Sequence, residues 1–253
     1  MKNTSSLALG TALALILSGC SDTDTNQVAE SAPEAPTAPV MTTDPAENNP
    51  FFVESPLYLH YPQFDKIKNE HYLPAFERGM EEQLAEIDAI ANQTEAPTFD
   101  NTLIPMEKSG QLLNRAARVF FAMTSANTND ELESIRSEMA PKFSAHNDKI
   151  RLNAKLFARI QALFDERDTL ELDPESYRLV EETHKDFVRA GAQLSDADKE
   201  TLKAMNAELA SLQTQFSQNV LNEVNESAVV VDSREELEGM SETSIEAAAE
   251  AVN

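Results

Sequence analysis

A mostly α-helical bundle is what this sequence predicts, and three features predict it. Apolar residues recur at steps of three and four in one segment after another, Ser, Asp and Asn stand where helices would start, and a single short run, 228–231, has the composition of a strand. The predicted helical region covers residues 51–253.

The first helix rests on Phe76, Met80, Leu84, Ile87 and Ala91, which fall along one face. Pro74 suits an early helical position, where its missing N–H has no intrahelical partner to lose. The turn Pro97-Thr98-Phe99-Asp100-Asn101 leads to a second stripe of Leu103, Met106, Leu113, Ala117, Phe120 and Phe121. A third helix is predicted from Asn129 or Asp130 through Leu132, Ile135 and Met139, with Pro141 expected to kink or interrupt it. A fourth spans about 154–167. Asp173 before Pro174 is an N-cap signal for the segment with Tyr177, Val180, His184, Phe187 and Val188.

Ser195 followed by Asp198 resembles a capping box and opens the clearest helix, which carries Leu202, Met205, Leu209, Leu212 and Phe216 in heptad spacing. A seam this short is expected to be one face of an intramolecular bundle rather than a dimeric coiled coil. Ala228 to Val231 is the minor β candidate, and Ser233 and Ser241 are expected to cap short helical pieces. The last piece, Ile245 to Val252, is still helical in pattern where the sequence stops, which is the expectation for a truncated chain.

Ahead of the bundle, residues 1–19 read as a lipoprotein signal peptide: Lys2, an apolar run from Leu7 to Leu17, then Leu17-Ser18-Gly19-Cys20. Cys20 is the expected lipidation site, and Ser21 after it points to the outer membrane, facing the periplasm. Residues 20–50 form an acidic, proline-rich tether with too little apolar surface to repay its ordering entropy. The net charge of −24, from 44 acidic and 20 basic residues, excludes nucleic acid as a partner. Cys20 is the sole cysteine, so neither an intramolecular disulfide nor a cysteine-based zinc site can form.

Catalytic motifs were sought and not found. His60, His71, His146 and His184 have no histidine partner three or four positions away, which removes an HExxH zinc helix; GxSxG and P-loop patterns are missing too. Glu181 and His184 are spaced as in carboxylate-bridged di-iron bundles, but that site needs the motif twice, so the pair reads as a surface or core-edge pair. His71 reads as a packing residue at a helix entry, and Phe120 with Phe121 as core. No catalytic or metal residue is assigned within the chain.

Several stretches in order carry a resemblance: Pro62-Gln63-Phe64-Asp65-Lys66-Ile67, Glu70-His71-Tyr72-Leu73-Pro74-Ala75-Phe76, Pro97-Thr98-Phe99-Asp100-Asn101-Thr102, Asp186-Phe187-Val188-Arg189-Ala190-Gly191-Ala192 and Gln215-Phe216-Ser217-Gln218-Asn219-Val220-Leu221. From about Asn49 onward the sequence resembles the N-terminal region of the thimet-type zinc oligopeptidases, in particular bacterial dipeptidyl carboxypeptidase and oligopeptidase A. The resemblance implies a two-lobed, largely helical, monomeric parent enzyme with a channel for short peptides, whose zinc site lies in a C-terminal part. This chain would then be a channel wall, inactive alone and binding no zinc. The alternative reading is a non-catalytic peptide-binding or scaffold lipoprotein.

Overall fold

A computed structural model of the chain describes residues 48–227, 229, 231 and 233–250. The signal peptide, Cys20 and the tether up to residue 47 lie outside the described residues. Among the described residues eight α-helices follow one another: α1 (Tyr72–Ala91), α2 (Ile104–Lys108), α3 (Gln111–Ala126), α4 (Asp130–Arg151), α5 (Ala154–Glu166), α6 (Pro174–Arg189), α7 (Asp196–Glu226) and α8 (Glu242–Glu250). None of them is long and apolar enough to cross a membrane.

The helix starts were written locally. Asn129 accepts a hydrogen bond from the Leu132 N–H, Asn153 from those of Lys155 and Leu156, Asp173 from those of Glu175 and Ser176, and Ser195 from that of Asp198. Each satisfies backbone donors that the first helical turn leaves without partners. In the turn before α2, Thr98 and Asn101 cap each other, the Asn101 N–H donating to Thr98 Oγ1 at 3.1 Å and the Thr98 N–H to Asn101 Oδ1 at 2.8 Å.

Helix α1 is the spine. Its first half packs Tyr72, Ala75 and Phe76 against Ala116 and Phe120 of α3 and Leu132, Ile135 and Met139 of α4. Its second half packs Ile87, Ile90 and Ala91 against Leu156 and Ile160 of α5 and Phe187 of α6. A smaller cluster of Leu103, Leu163 and Val180 closes the end formed by the 99–103 turn, α5 and α6. Each fully buried large apolar side chain contributes about 1.5–3 kcal/mol. The chain is fastened from Asn49, whose side chain donates to the His71 carbonyl at 2.7 Å, and Arg115 grips the Phe51 carbonyl through Nε and Nη2.

Gly79 sets the approach of α1 to α3. A Cβ there would stand 2.7 Å from the Leu113 backbone nitrogen and 2.8 Å from its Cα, atoms that cannot swing aside. Gly79→Ala is therefore expected to destabilise by about 1–3 kcal/mol despite alanine's better helix propensity. A denaturant midpoint equal to or above that of the parent would refute this.

Several expectations are corrected. The second stripe is not one helix: Gly110 adopts a left-handed φ of 70°, its N–H donating to Glu86 Oε2 at 2.7 Å, and breaks the run into α2 and α3. Within α3 Leu112, Ala116, Val119 and Phe120 are buried, Leu113 and Ala117 pack at the edge of the same core, and of the predicted stripe in this helix only Phe121 is exposed. Pro141 lies inside α4 without interrupting it, because Phe143, Met139 and the α7 contacts hold the helix on both sides. Among the described residues there is no strand. Val229 and Val231 have no regular structure, and Ala228 and Val230 lie outside the described residues; Val229 is 88% exposed, with no neighbouring strand to complete a ladder. The heptad seam of α7 is not buried in the bundle either, since Met205, Leu209, Leu212 and Phe216 are all exposed.

Candidate functional site

Helices α3, α4 and α7 enclose a groove of about 670 Å³. Phe120, Phe121, Ala140, Phe143, Leu212 and Phe216 give it apolar walls, while Arg136, Gln213, Thr214 and Ser217 add polar groups. Its floor is continuous with the core. Phe76 meets Phe120 edge to face at 5.2 Å and Phe143 at 5.0 Å, and Phe120 in turn meets Phe121 at 5.3 Å. Such edge-to-face pairs contribute about 0.5–1.5 kcal/mol beyond area burial and fix ring orientation. The adjacent phenylalanines therefore divide their roles: Phe120 is fully buried, whereas Phe121 is 45% exposed and faces the groove. The expectation that both are core holds for the first only.

Polar groups line part of the groove. Arg136 stands 3.7 Å from Glu133, and its remaining N–H donors suit peptide carbonyl oxygens. Glu133 also accepts from Thr128 Oγ1 at 2.6 Å and, through its carbonyl, from Gln218 Nε2 at 3.2 Å. That ties α4 to α7 along the groove. A second, more polar pocket of about 330 Å³ lies among α1, α2, α4 and α6, beside His146, Glu182 and Asp186.

The Glu181 and His184 pair does not converge on a common point. The Glu181 carboxylate turns to Arg178 at 3.3 Å and Arg167 at 4.0 Å. His184 lies flat on Phe164, with centroids 3.9 Å apart, and shares a hydrogen bond with Gln161 Oε1 at 2.8 Å. His71 is buried at the entry to α1, its Nδ1 accepting from the Lys68 N–H at 3.0 Å. His60 sits in an exposed loop with its Nδ1 3.0 Å from the Ser55 carbonyl. Among the described residues no three His, Cys, Asp or Glu side chains are placed to hold a metal ion.

His146 is buried between α4 and α1, its Nε2 2.7 Å from Gln83 Oε1. Burial, with a smaller effect from Lys149, pushes its pKa below the usual imidazole value; burial first also lowers those of His71 and His184. The folded state then takes up protons less readily than the unfolded chain. This contribution to stability is complete above the unfolded value of about 6.5 and is lost as pH falls from there through the folded value. His146→Gln is expected to flatten the fall in stability between about pH 7 and 5 relative to the parent. Identical slopes for the two proteins in urea titrations across that window would count against it.

Arg159 was missed in the sequence. It sits three residues after Leu156 on the apolar face of α5, an anomaly that marked it as a buried cation needing partners. It ties the 93–102 turn to α5, donating to Asn101 Oδ1 at 2.7 Å and the Glu95 carbonyl at 3.0 Å.

With this arrangement in view, the chain can be compared with known proteins. No model of a protein family matches it. It is 47% identical over 203 residues to dipeptidyl carboxypeptidase of Escherichia coli (strain K12), and 45% identical over the same length to the Salmonella typhimurium protein of that name. The chain is a homologue of the thimet-type peptidases. To oligopeptidase A of Haemophilus influenzae it is 25% identical over 187 residues. In both dipeptidyl carboxypeptidase comparisons 80% of this chain is matched, and the match covers 30% of the relative. The match thus spans 30% of the length of these dipeptidyl carboxypeptidases and 27% of that oligopeptidase A.

Proposed function

We propose that these residues form a channel wall of a zinc metallopeptidase that hydrolyses short peptides and releases dipeptides from their C-termini. The observation that carries the reading is the 47% identity to a dipeptidyl carboxypeptidase over 203 residues. The groove between α3, α4 and α7 supports it, because apolar walls with a few N–H donors suit an extended peptide whose side chains vary. The described residues do not fit zinc, since no three ligands converge. No step through the metal is assigned to them, and the zinc site is proposed to belong to further polypeptide.

The test is an assay of the complete gene product with added zinc on oligopeptides with free and amidated C-termini, read by mass spectrometry. Successive loss of two-residue units from free C-termini alone supports the reading. Peptides left whole by the complete product would overturn it. The 253-residue chain by itself is expected to leave them uncut.

Attachment to the envelope is proposed on the Leu17-Ser18-Gly19-Cys20 sequence, with Cys20 carrying lipid and the protein held at the outer membrane, facing the periplasm. Cys20→Ala is expected to abolish incorporation of labelled fatty acid and to leave an unprocessed precursor. Unchanged incorporation would sink the assignment.

A further inference from the structure

Helix α7 carries a long row of large apolar residues that the other described residues leave largely uncovered. It rests on α4 through small and polar residues, and the two helices are joined by hydrogen bonds: Asn206 Nδ2 donates to Asp148 Oδ1 at 2.8 Å, and Gln218 Nε2 to Ser137 Oγ at 2.7 Å. Most of its large apolar residues lie to the side of that contact, where Leu212 and Phe216 border the groove, and stay largely uncovered. Met205, Leu209, Leu212, Phe216, Val220 and Val224 are all exposed, Phe216 by 69%. At about 1.5 Å per residue they make a stripe about 28 Å long. Apolar patches of this extent on a soluble protein mark a surface that something covers.

We infer that the apolar row of α7, from Met205 to Val224, is an interface that docks the remainder of the peptidase polypeptide. This rests on the reading of the chain as part of a longer peptidase. The relatives supply the occupant: the match takes up 30% of their length, so most of their polypeptide has no counterpart in these residues. The stripe is also continuous with the groove, since Leu212 and Phe216 belong to both. Docking there would therefore close the open side of the groove into a channel. A second copy of the chain is the weaker occupant, because each copy brings a net charge of −24 to the contact.

The experiment places single cysteines by Leu212→Cys and, separately, Phe216→Cys in a Cys20→Ser background. Maleimide labelling rates are compared in the complete gene product and in the 253-residue chain. Leu209→Cys is a further variant, should either substitution prevent the complete product from folding. The inference expects labelling roughly tenfold or more slower in the complete product, because the thiol reacts only on local opening. Equal rates in the two forms would overturn it. Slow labelling in the 253-residue chain that speeds up on dilution would overturn it in favour of self-association. A reading frame that stops at Asn253 would also overturn it. Dipeptide release measured on the complete gene product with Leu212 and Phe216 intact separates the two claims. Protected thiols without activity leave the interface standing and remove the peptidase reading, whereas activity with freely reacting thiols removes the interface alone.

Discussion

Phe76→Ala is expected to lower the free energy of unfolding by about 3–5 kcal/mol. Phe76 is fully buried, and its ring touches Tyr72 at 6.1 Å, Phe120 at 5.2 Å and Phe143 at 5.0 Å. It thus joins α1, α3 and α4 at one point. Neighbours fixed on three different helices cannot collapse into the space that the ring vacates, so the cavity penalty adds in full to the lost transfer free energy. Total stabilities of about 5–15 kcal/mol mean that the variant would be close to unfolded. Because Phe120 props Phe121, the groove should lose its shape as well. Denaturant unfolding followed by circular dichroism measures the effect. The comparison is Phe64→Ala, where the ring is 46% exposed and a much smaller effect is expected. Equal midpoints for the two variants would refute the assignment of Phe76 as the centre of the core.

Arg159→Met is expected to cost about 1–3 kcal/mol through an unrelated mechanism, the loss of a buried guanidinium's hydrogen bonds to the 93–102 turn. The Arg159 guanidinium is buried and donates to the Gln93 and Glu95 carbonyls, the Asn101 side chain and Thr102 Oγ1, all neutral groups of the turn. Methionine fills similar apolar volume but supplies no N–H, so the turn loses the donors that tie it to α5. The damage should be local first. Hydrogen exchange is expected to quicken over residues 93–102 before α1 or α3 responds. Arg159→Lys should recover only part of the loss, because one ammonium cannot meet acceptors spread across the planar fork. Full recovery by lysine, or unaltered exchange in the turn, would show that Arg159 acts merely as a charge.

Helix positions were legible because the information is local. Asn129, Asn153, Asp173 and Ser195 each cap a backbone N–H two or three residues away, and a cap of that reach is written in consecutive letters. Gly110 was harder to read, since its effect depends on Glu86 of another helix receiving its N–H. The depth of burial along α3 has a similar origin. Leu112 and Leu113 are both apolar, and only the helices packed on α3 decide that Leu112 is buried while Leu113, against Gly79 of α1, is partly so.

By itself the sequence determined that the described chain is helical, where its main helices begin and that it is a homologue of the thimet-type peptidases. Spacing, capping and ordered short stretches need no knowledge of what lies across the fold. Tertiary structure alone decided which apolar faces are covered: Phe120 in the core beside Phe121 at the groove, Arg159 buried among carbonyls, and the α7 seam left largely uncovered. Periodicity states that a helix has an apolar face. Burial depends on which residues, distant in sequence, come to lie against that face.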